Sequence, residues 1–344
     1  MDIENARVLG IESSCDETSV SVVSGGRVIE SNVIASQVDL HAHFGGVFPE
    51  VASREHVKVI QAVVEEALQA SHLSLEEMDA IAVTRGPGLA GSLVIGVNMA
   101  KALAMAADLP IIPVNHLEGH IYSAWLYQAG TQAPPAPKFP LLALLVSGGH
   151  SELILMTDHL VYKRLGGTLD DAAGEAFDKV ARLLGLAYPG GPSIQNAAQK
   201  GNPEAFKFPR ARLGDSWNFS FSGLKTAVLR TVEDLQHQGK ELPVADLAAS
   251  FQAAVVEALF NKTMAAAEEF DVKEIIVAGG VSANKALRHA FKEQKRWHVH
   301  IPPLALCTDN AAMIAAAGYY HLVNGDLGDL AFDVLPTWPL SYQA

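Results

Sequence analysis

The chain has few cysteines, few basic residues and no long apolar run, and each shortage excludes something. Only Cys15 and Cys307 occur; two thiols cannot make a disulfide framework, which points to a reducing cytoplasm. No run approaches the ~20 apolar residues of a membrane helix. The best, residues 139–146, is strand-sized and ends in Ser-Gly-Gly. The start, Met-Asp-Ile-Glu-Asn, lacks a basic and an apolar segment, so no signal peptide is expected. Charged residues make up only 18% against 49% hydrophobic ones, which rules out global disorder. Lys and Arg number 25 against 38 Asp and Glu, a net charge of −13. So acidic a chain grips nucleic acid poorly unless it concentrates its cations or borrows a basic partner. At 344 residues the length suits two lobes of about 150 residues each.

What is present begins with an internal echo. Residues 8–14, 19–23 and 27–35 read as three short strands, separated by Cys15-Asp16-Glu17-Thr18 and Gly25-Gly26. Residues 141–146, 152–156 and a strand around Val161 repeat the pattern, separated by Ser147-Gly148-Gly149 and Asp158-His159. Short β-rich runs bounded by turn residues are the mark of consecutive antiparallel hairpins. Alternating helix and strand patterns follow each set, so each half reads as a mixed α/β lobe. Residues 128–138, QAGTQAPPAPK, are too rich in proline and small residues for regular structure and read as a linker. Apolar spacing predicts helices over 50–70, 89–107 and 244–270, a basic helix over 283–295 and a closing helix over 309–323 capped by Thr308 or Asp309. Buried strands are expected at 80–84, 110–114 and 274–278.

His116 and His120 stand four apart in NHLEGH, which on a helix places two imidazoles on one face. They are either a metal pair or a polar helix face. A zinc protease needs its glutamate directly after the first histidine, whereas Glu118 comes two residues on. Asp309, in CTDN, is the best third ligand or else a plain helix cap; a His-His-Asp set suits zinc or iron. Three glycine turns follow: Ser147-Gly148-Gly149, the Pro-Gly-Gly-Pro at 189–192, and Gly279-Gly280 leading to Asn284, which could contact a base or sugar. Each alone is commonly structural. Together, and with the Asp16-Glu17 turn, they favour a nucleotide held between two lobes. Asp170, Asp171 and Asp178 read as helix-start or solvated acids, and FSFSGLK at 219–225 as a surface loop packing two phenyl rings. Lys285, Arg288, Lys292, Lys295 and Arg296 along one predicted helix, with Lys207, Arg210 and Arg212, are the cations available to a phosphate backbone.

These motifs resemble one family over nearly the whole chain. GIESSCDET at 10–18, GGVFPEVASREH at 45–56, GPGL at 86–89, HLEGH at 116–120 and LVSGGH at 145–150 carry the resemblance. DDAAGEAFDK at 170–179, SFSGLKT at 220–226, AGGVSAN at 278–284 and CTDN at 307–310 continue it. It is to the catalytic subunits of tRNA N6-adenosine threonylcarbamoyltransferase, called TsaD in bacteria. The resemblance implies two RNase H-like α/β lobes of the actin, Hsp70 and sugar-kinase (ASKHA) type, with a nucleotide and metal cleft between them. The lobes are then 1–128 and 139–308 with a linker at 129–138, and a C-terminal helix, 309–344, returns to the first lobe.

The resemblance further implies transfer of the threonylcarbamoyl group from threonylcarbamoyl-adenylate to N6 of adenosine 37, in tRNAs reading codons that begin with A. His116, His120 and Asp309 match the family's iron or zinc ligands. Leu145, Val146, Ser147, Gly148, Gly149, Asp178, Gly191 and Asn284 match its adenylate contacts, and Gln195 stands where many relatives carry an acid. Asp16 or Glu17 is the expected proton acceptor. The implied partners are tRNA, a TsaB-like paralogue, a TsaE-like ATPase and a separate synthase that makes the adenylate; no membrane is expected. A nucleotide-dependent kinase or ATPase, or a regulatory nucleotide-binding scaffold, are the competing readings.

Overall fold

The computed structural model describes residues 3–211 and 213–340. These divide into two compact units, one of residues 3–137 with 302–340 and one of residues 138–301. Residues 302–308 thus lie with the first unit, and the boundary expected after 308 moves to 301.

The first unit begins with β1 (Arg7–Glu12), β2 (Glu17–Ser24) and β3 (Val28–Ser36), followed by α1 (Val38–Ala42) and α2 (Pro49–Ser71). Then come β4 (Ala80–Gly86), α3 (Ala90–Ala107), β5 (Ile111–Asn115), α4 (His116–Tyr122) and a two-residue β6 (Tyr127–Gln128). The second unit holds β7 (Leu141–Val146), β8 (Ser151–Asp158) and β9 (Val161–Gly167), then α5 (Ala173–Leu183), α6 (Gly190–Ala198), α7 (Ser222–His237) and α8 (Val244–Glu269). It closes with β10 (Glu274–Ala278), α9 (Lys285–Glu293) and β11 (His298–His300); α10 (Ala311–Asn324) belongs to the first unit.

The sequence echo is a repeated topology. The sheets run β5-β4-β1-β2-β3-β6 and β11-β10-β7-β8-β9. In each, the first three strands form antiparallel hairpins, and the first strand also pairs in parallel with the later β4 or β10. Central strands read as unbroken apolar runs because both faces are covered, as all six residues of β7 show.

In the first unit, α2 and α3 bury Ile60, Val63, Val64 and Val97 against Leu9, Ile11, Val20 and Val22 of the sheet. The alanine-rich α10 contacts β1, β2 and β4 as well as α4, and its small side chains permit that close approach. It ends at Asn324, well short of the expected span, and residues 341–344 of that span lie outside the described residues. Arg27 donates to the carbonyls of Trp125 (3.2 Å) and Pro134 (2.6 Å), holding the first part of the proline-rich stretch on this unit.

In the second unit, α5, α6, α7 and α8 cover one sheet face around Leu142, Leu144 and Val146. Phe219 and Phe221 are interior residues with stacked rings 6.3 Å apart, not a surface loop, and Phe219 bridges to Thr168. α3 and α8 are long and apolar enough to cross a membrane, although no uninterrupted apolar run is. Each packs one side into its unit's core through residues such as Leu93 and Val97, or Leu247 and Phe251.

Candidate active site and metal centre

The strongest chemical cluster lies in the first unit. Strand β5 ends at Asn115, whose side chain accepts the Leu117 N–H at 2.9 Å and starts the helix at His116. One turn later His120 faces the same way, its ring centroid 4.8 Å from that of His116. Gly119 between them lets α4 approach α10, since a Cβ there would sit 2.8 Å from Ile314 and 3.1 Å from Met313. Asp309 supplies the third member. The cap of α10 is neither Thr308 nor Asp309 but Asn310, which accepts the Met313 N–H at 3.2 Å. That frees the Asp309 carboxylate, whose Oδ1 lies 3.4 Å from His116 Nε2 and 3.3 Å from His120 Nε2. Among the described residues this is the one group of three or more His, Cys, Asp or Glu side chains whose ligand atoms converge, all within 4.8 Å.

The cluster fits a divalent ion on its own chemistry. Among the described residues neither nitrogen of the buried His120 makes a hydrogen bond, an arrangement that costs about 1–3 kcal/mol per group unless something else occupies them. His116 Nδ1 bonds Glu12 Oε2 at 2.9 Å, so Nδ1 carries a hydrogen, and Nε2 faces the Asp309 carboxylate, an arrangement that requires a proton or a cation between them. Glu12 in turn accepts from the Thr84 hydroxyl at 2.6 Å. Burial by itself would raise Glu12, but His116 holds it below the usual range. Burial by itself would lower His116, and Asp309 and Glu12 hold it well above its ordinary value. Against burial, His116 and His120 together hold Asp309 far down. Glu118 does not join the set: its Oε2 lies 2.8 Å from His321 Nε2.

Asp16 ends the turn between β1 and β2, and Glu17 is the first residue of β2, so the turn expected at 15–18 stops at Asp16. Ser36 donates its hydroxyl to Glu17 Oε1 at 3.0 Å, and the Gln37 N–H donates to the Asp16 carbonyl at 3.0 Å. Burial, reinforced by the charges of Asp309 and Asp16, pushes Glu17 up to about 9. Its carboxyl therefore holds a proton at neutral pH unless a cation compensates.

The glycine turns lie in the second unit. Leu145 and Val146 are interior β7 residues paired with Glu152 and Ser151, so the exposed turn begins at Ser147. The first-turn N–H groups of Gly174 and Glu175 on α5 donate to the carbonyls of Ser147 and Gly148, both at 3.1 Å. With those carbonyls held, no acceptor among the described residues takes the Gly148 and Gly149 N–H groups, and both residues are exposed. The approach needs glycine at 174, where a Cβ would lie 2.6 Å from the Ser147 oxygen and 2.8 Å from Gly148 Cα. The backbone of Gly279, after β10, lies against the end of the neighbouring β7 at Val146, so two glycine turns sit at the C-terminal ends of adjacent parallel strands.

Asp178 Oδ1 accepts the Gly190 N–H at 2.8 Å and joins α5 to α6, next to Gly191; burial raises its carboxyl. Asn284 is mainly a cap rather than a free sugar contact. Its Oδ1 accepts from Ala286 (3.0 Å) and Leu287 (3.1 Å), and its Nδ2 donates to Gln252 at 2.8 Å. Its backbone N–H donates to the Val281 carbonyl and its own carbonyl accepts from the Arg288 N–H, both at 2.9 Å, so one amide hydrogen is left for a ligand. Gln195 Oε1 accepts the Lys285 N–H at 2.7 Å.

Several of the remaining acids and cations pair with neighbours. Asp170 accepts from Ser220, Phe221 and Ser222 at the start of α7, and Asp171 pairs with Lys179 and Lys225, both at 2.7 Å. α9 ends at Glu293, so Lys295 and Arg296 fall beyond it, and Arg296 pairs with Glu268 at 2.9 Å. Arg210 pairs with Glu257 at 2.6 Å, and Arg212 lies outside the described residues.

Sequence reasoning passed over Glu12, Thr84 and His56. A signal existed for the first: a glutamate inside the apolar strand run of residues 8–12 must have a partner once buried.

Comparison with known proteins shows the family. The family model described as "TsaD: tRNA N6-adenosine threonylcarbamoyltransferase" matches residues 28–316. A protein named tRNA N6-adenosine threonylcarbamoyltransferase from Thermomicrobium roseum is 54% identical, over 97% of this chain and 96% of its own. One of the same name from Bacillus subtilis is 51% identical, over 98% and 97%. Among solved structures, HypF from T. kodakarensis matches with a TM-score of 0.62 at 15% identity, over 93% of this chain and 48% of its own. Component A of the (R)-2-hydroxyglutaryl-CoA dehydratase of Acidaminococcus fermentans matches with a TM-score of 0.51 at 16% identity, over 92% and 99%. Likeness at such low identity identifies the fold alone, the two RNase H-like units of the ASKHA type.

Proposed function

The chain belongs to the TsaD family of tRNA threonylcarbamoyltransferases, and from that premise we propose that it transfers the threonylcarbamoyl group of threonylcarbamoyl-adenylate to N6 of adenosine 37 in tRNAs reading codons that begin with A. The observation that carries the reading is the His116–His120–Asp309 triad, with Asn310 as the cap that frees Asp309 and with His120 unbonded. A zinc protease is disfavoured because the glutamate inside the helix, Glu118, is paired with His321.

In this reaction the N6–carbon bond forms, the bond between the carbamoyl carbon and a phosphate oxygen breaks, and AMP departs with that oxygen. The anhydride is already activated, so the protein's task is to hold it, stabilise charge and accept one proton. The second unit binds the adenylate part, with the Gly148 and Gly149 N–H groups toward the phosphate. The first unit binds a divalent ion, iron or zinc, through His116, His120 and Asp309, which when bound supplies a Lewis acid. Glu12 keeps His116 in the tautomer that offers Nε2. Asp16, or Glu17 once the charge of the bound ion has ionised its carboxyl, takes the proton leaving N6.

A chain with 13 excess negative charges gains from a basic partner on tRNA; a TsaB-like paralogue, a TsaE-like ATPase and an adenylate synthase complete the proposal, in the cytoplasm. The test supplies threonylcarbamoyl-adenylate and unmodified tRNA with the partner subunits, and seeks N6-threonylcarbamoyladenosine by nucleoside mass spectrometry. Elemental analysis of the same samples reads the metal. H120A is expected to lose ion and product together; product from a demonstrably metal-free H120A overturns the metal role. Nucleotide hydrolysis without product, from a competent partner set, favours the ATPase reading.

A further inference from the structure

His56 is fully buried on α2, on the face that also buries Ala52 and Ile60. A histidine in such a place must satisfy both ring nitrogens. One partner lies in the turn between β1 and β2 and the other at the start of β2: Nε2 is 3.0 Å from the Cys15 carbonyl, and Nδ1 is 2.7 Å from the Thr18 hydroxyl. A carbonyl only accepts, so Nε2 carries the hydrogen, and Nδ1 of the neutral ring accepts from Thr18. Burial holds the imidazole below its ordinary pKa, in keeping with that neutral ring. One bond grips the residue before Asp16 and the other the residue after Glu17, so a single ring brackets the acidic pair. Gln37 and Ser36 hold the same turn from the β3 side.

We propose that His56 is a positioning residue for the transfer, fixing the Cys15–Thr18 segment so that Asp16 and Glu17 meet the attacking amine. It does this without touching substrate. The inference rests on the reading that one of these two acids accepts the amine proton. A displacement of about 1 Å in such a group lowers rate by roughly 100-fold, so the effect belongs in kcat.

The experiment is steady-state transfer by the full chain with its partner subunits, using H56A, H56Q, T18V, the double variant D16N/E17Q, and H56A added to that double variant. H56A is expected to lower kcat about 30- to 100-fold, with KM for the adenylate and for tRNA within about twofold and the metal content unchanged. H56Q keeps a donor for the Cys15 carbonyl and recovers most of the loss. T18V, which removes one side of the clamp, lowers kcat less than H56A and serves should H56A not fold. H56A added to D16N/E17Q lowers nothing further, because a turn without its acids has nothing left to aim. An additive loss, a loss that tracks unfolded protein or metal, an H56Q as slow as H56A, or a wild-type kcat in the folded clamp variants overturns the inference. Normal transfer by D16N/E17Q overturns the underlying reading of the acids instead.

Discussion

Replacing His321 with glutamine removes one positive charge from the junction of α10 and α4 while keeping a polar side chain. His321 Nε2 lies 2.8 Å from Glu118 and Nδ1 3.2 Å from Asp326, and the histidine side chain is 16% exposed. Burial by itself would lower its pKa, but the two carboxylates raise it from 6.5 to about 9. A pKa raised on folding contributes stability that is complete below the unfolded value and is lost as pH rises through the folded one. The window therefore runs from about pH 6.5 to about pH 9. Across it, ~1.36 kcal/mol per pH unit gives roughly 3 kcal/mol. For a unit of this size that corresponds to a melting shift of about 6–12 °C.

The assay is the thermal transition of wild type and H321Q at pH 6 and at pH 10, compared pairwise so that other titrations cancel. The variant is expected to melt lower at pH 6 and to converge on wild type at pH 10, where His321 is neutral in both. A difference independent of pH, or none at pH 6, refutes the reasoning. The pair also spans the elements that carry the metal ligands, since α4 bears both histidines and Asp309 directly precedes the α10 cap. H321Q is accordingly expected to weaken metal retention as well.

Two further outcomes follow from the second unit. G174A drives a methyl into the backbone of the Ser147–Gly148 turn, so dissociation of the adenylate donor is expected to rise about tenfold, equivalent to ~1.4 kcal/mol. Isothermal titration of the donor reads this, and unchanged affinity with a folded protein counts against a phosphate role for the turn. N284A removes the α9 cap and the bond to Gln252, costing about 1–2 kcal/mol. N284D keeps the cap acceptors and should cost less; denaturant unfolding that ranks the two equally places the loss elsewhere.

Several features were legible because they depend on neighbours in sequence. The hairpin echo survived as two sheets of like topology, since a strand run bounded by turn residues already specifies its antiparallel partner. His116 and His120 share a face because four residues make about one turn. The run at 219–225 misled because its alternation of aromatics with serine looks the same at a surface and in a core. Only the packing around Phe219 and Phe221 tells them apart.

By itself the sequence determined local chemistry: two acidic residues in one turn, two histidines on one helix, glycines after strands, and motifs specific enough to indicate the family. The tertiary structure decided what each group is free to do. Asn310 rather than Asp309 caps α10, and this choice leaves a carboxylate for two histidines nearly 200 positions earlier. Asn284 is occupied by α9 and Gln252, Glu12 orients His116, and His56 holds a turn roughly 40 residues away. Those allotments are made by distance and burial. A buried polar group must take whichever partner the fold brings within about 3 Å, and sequence spacing carries no record of that distance.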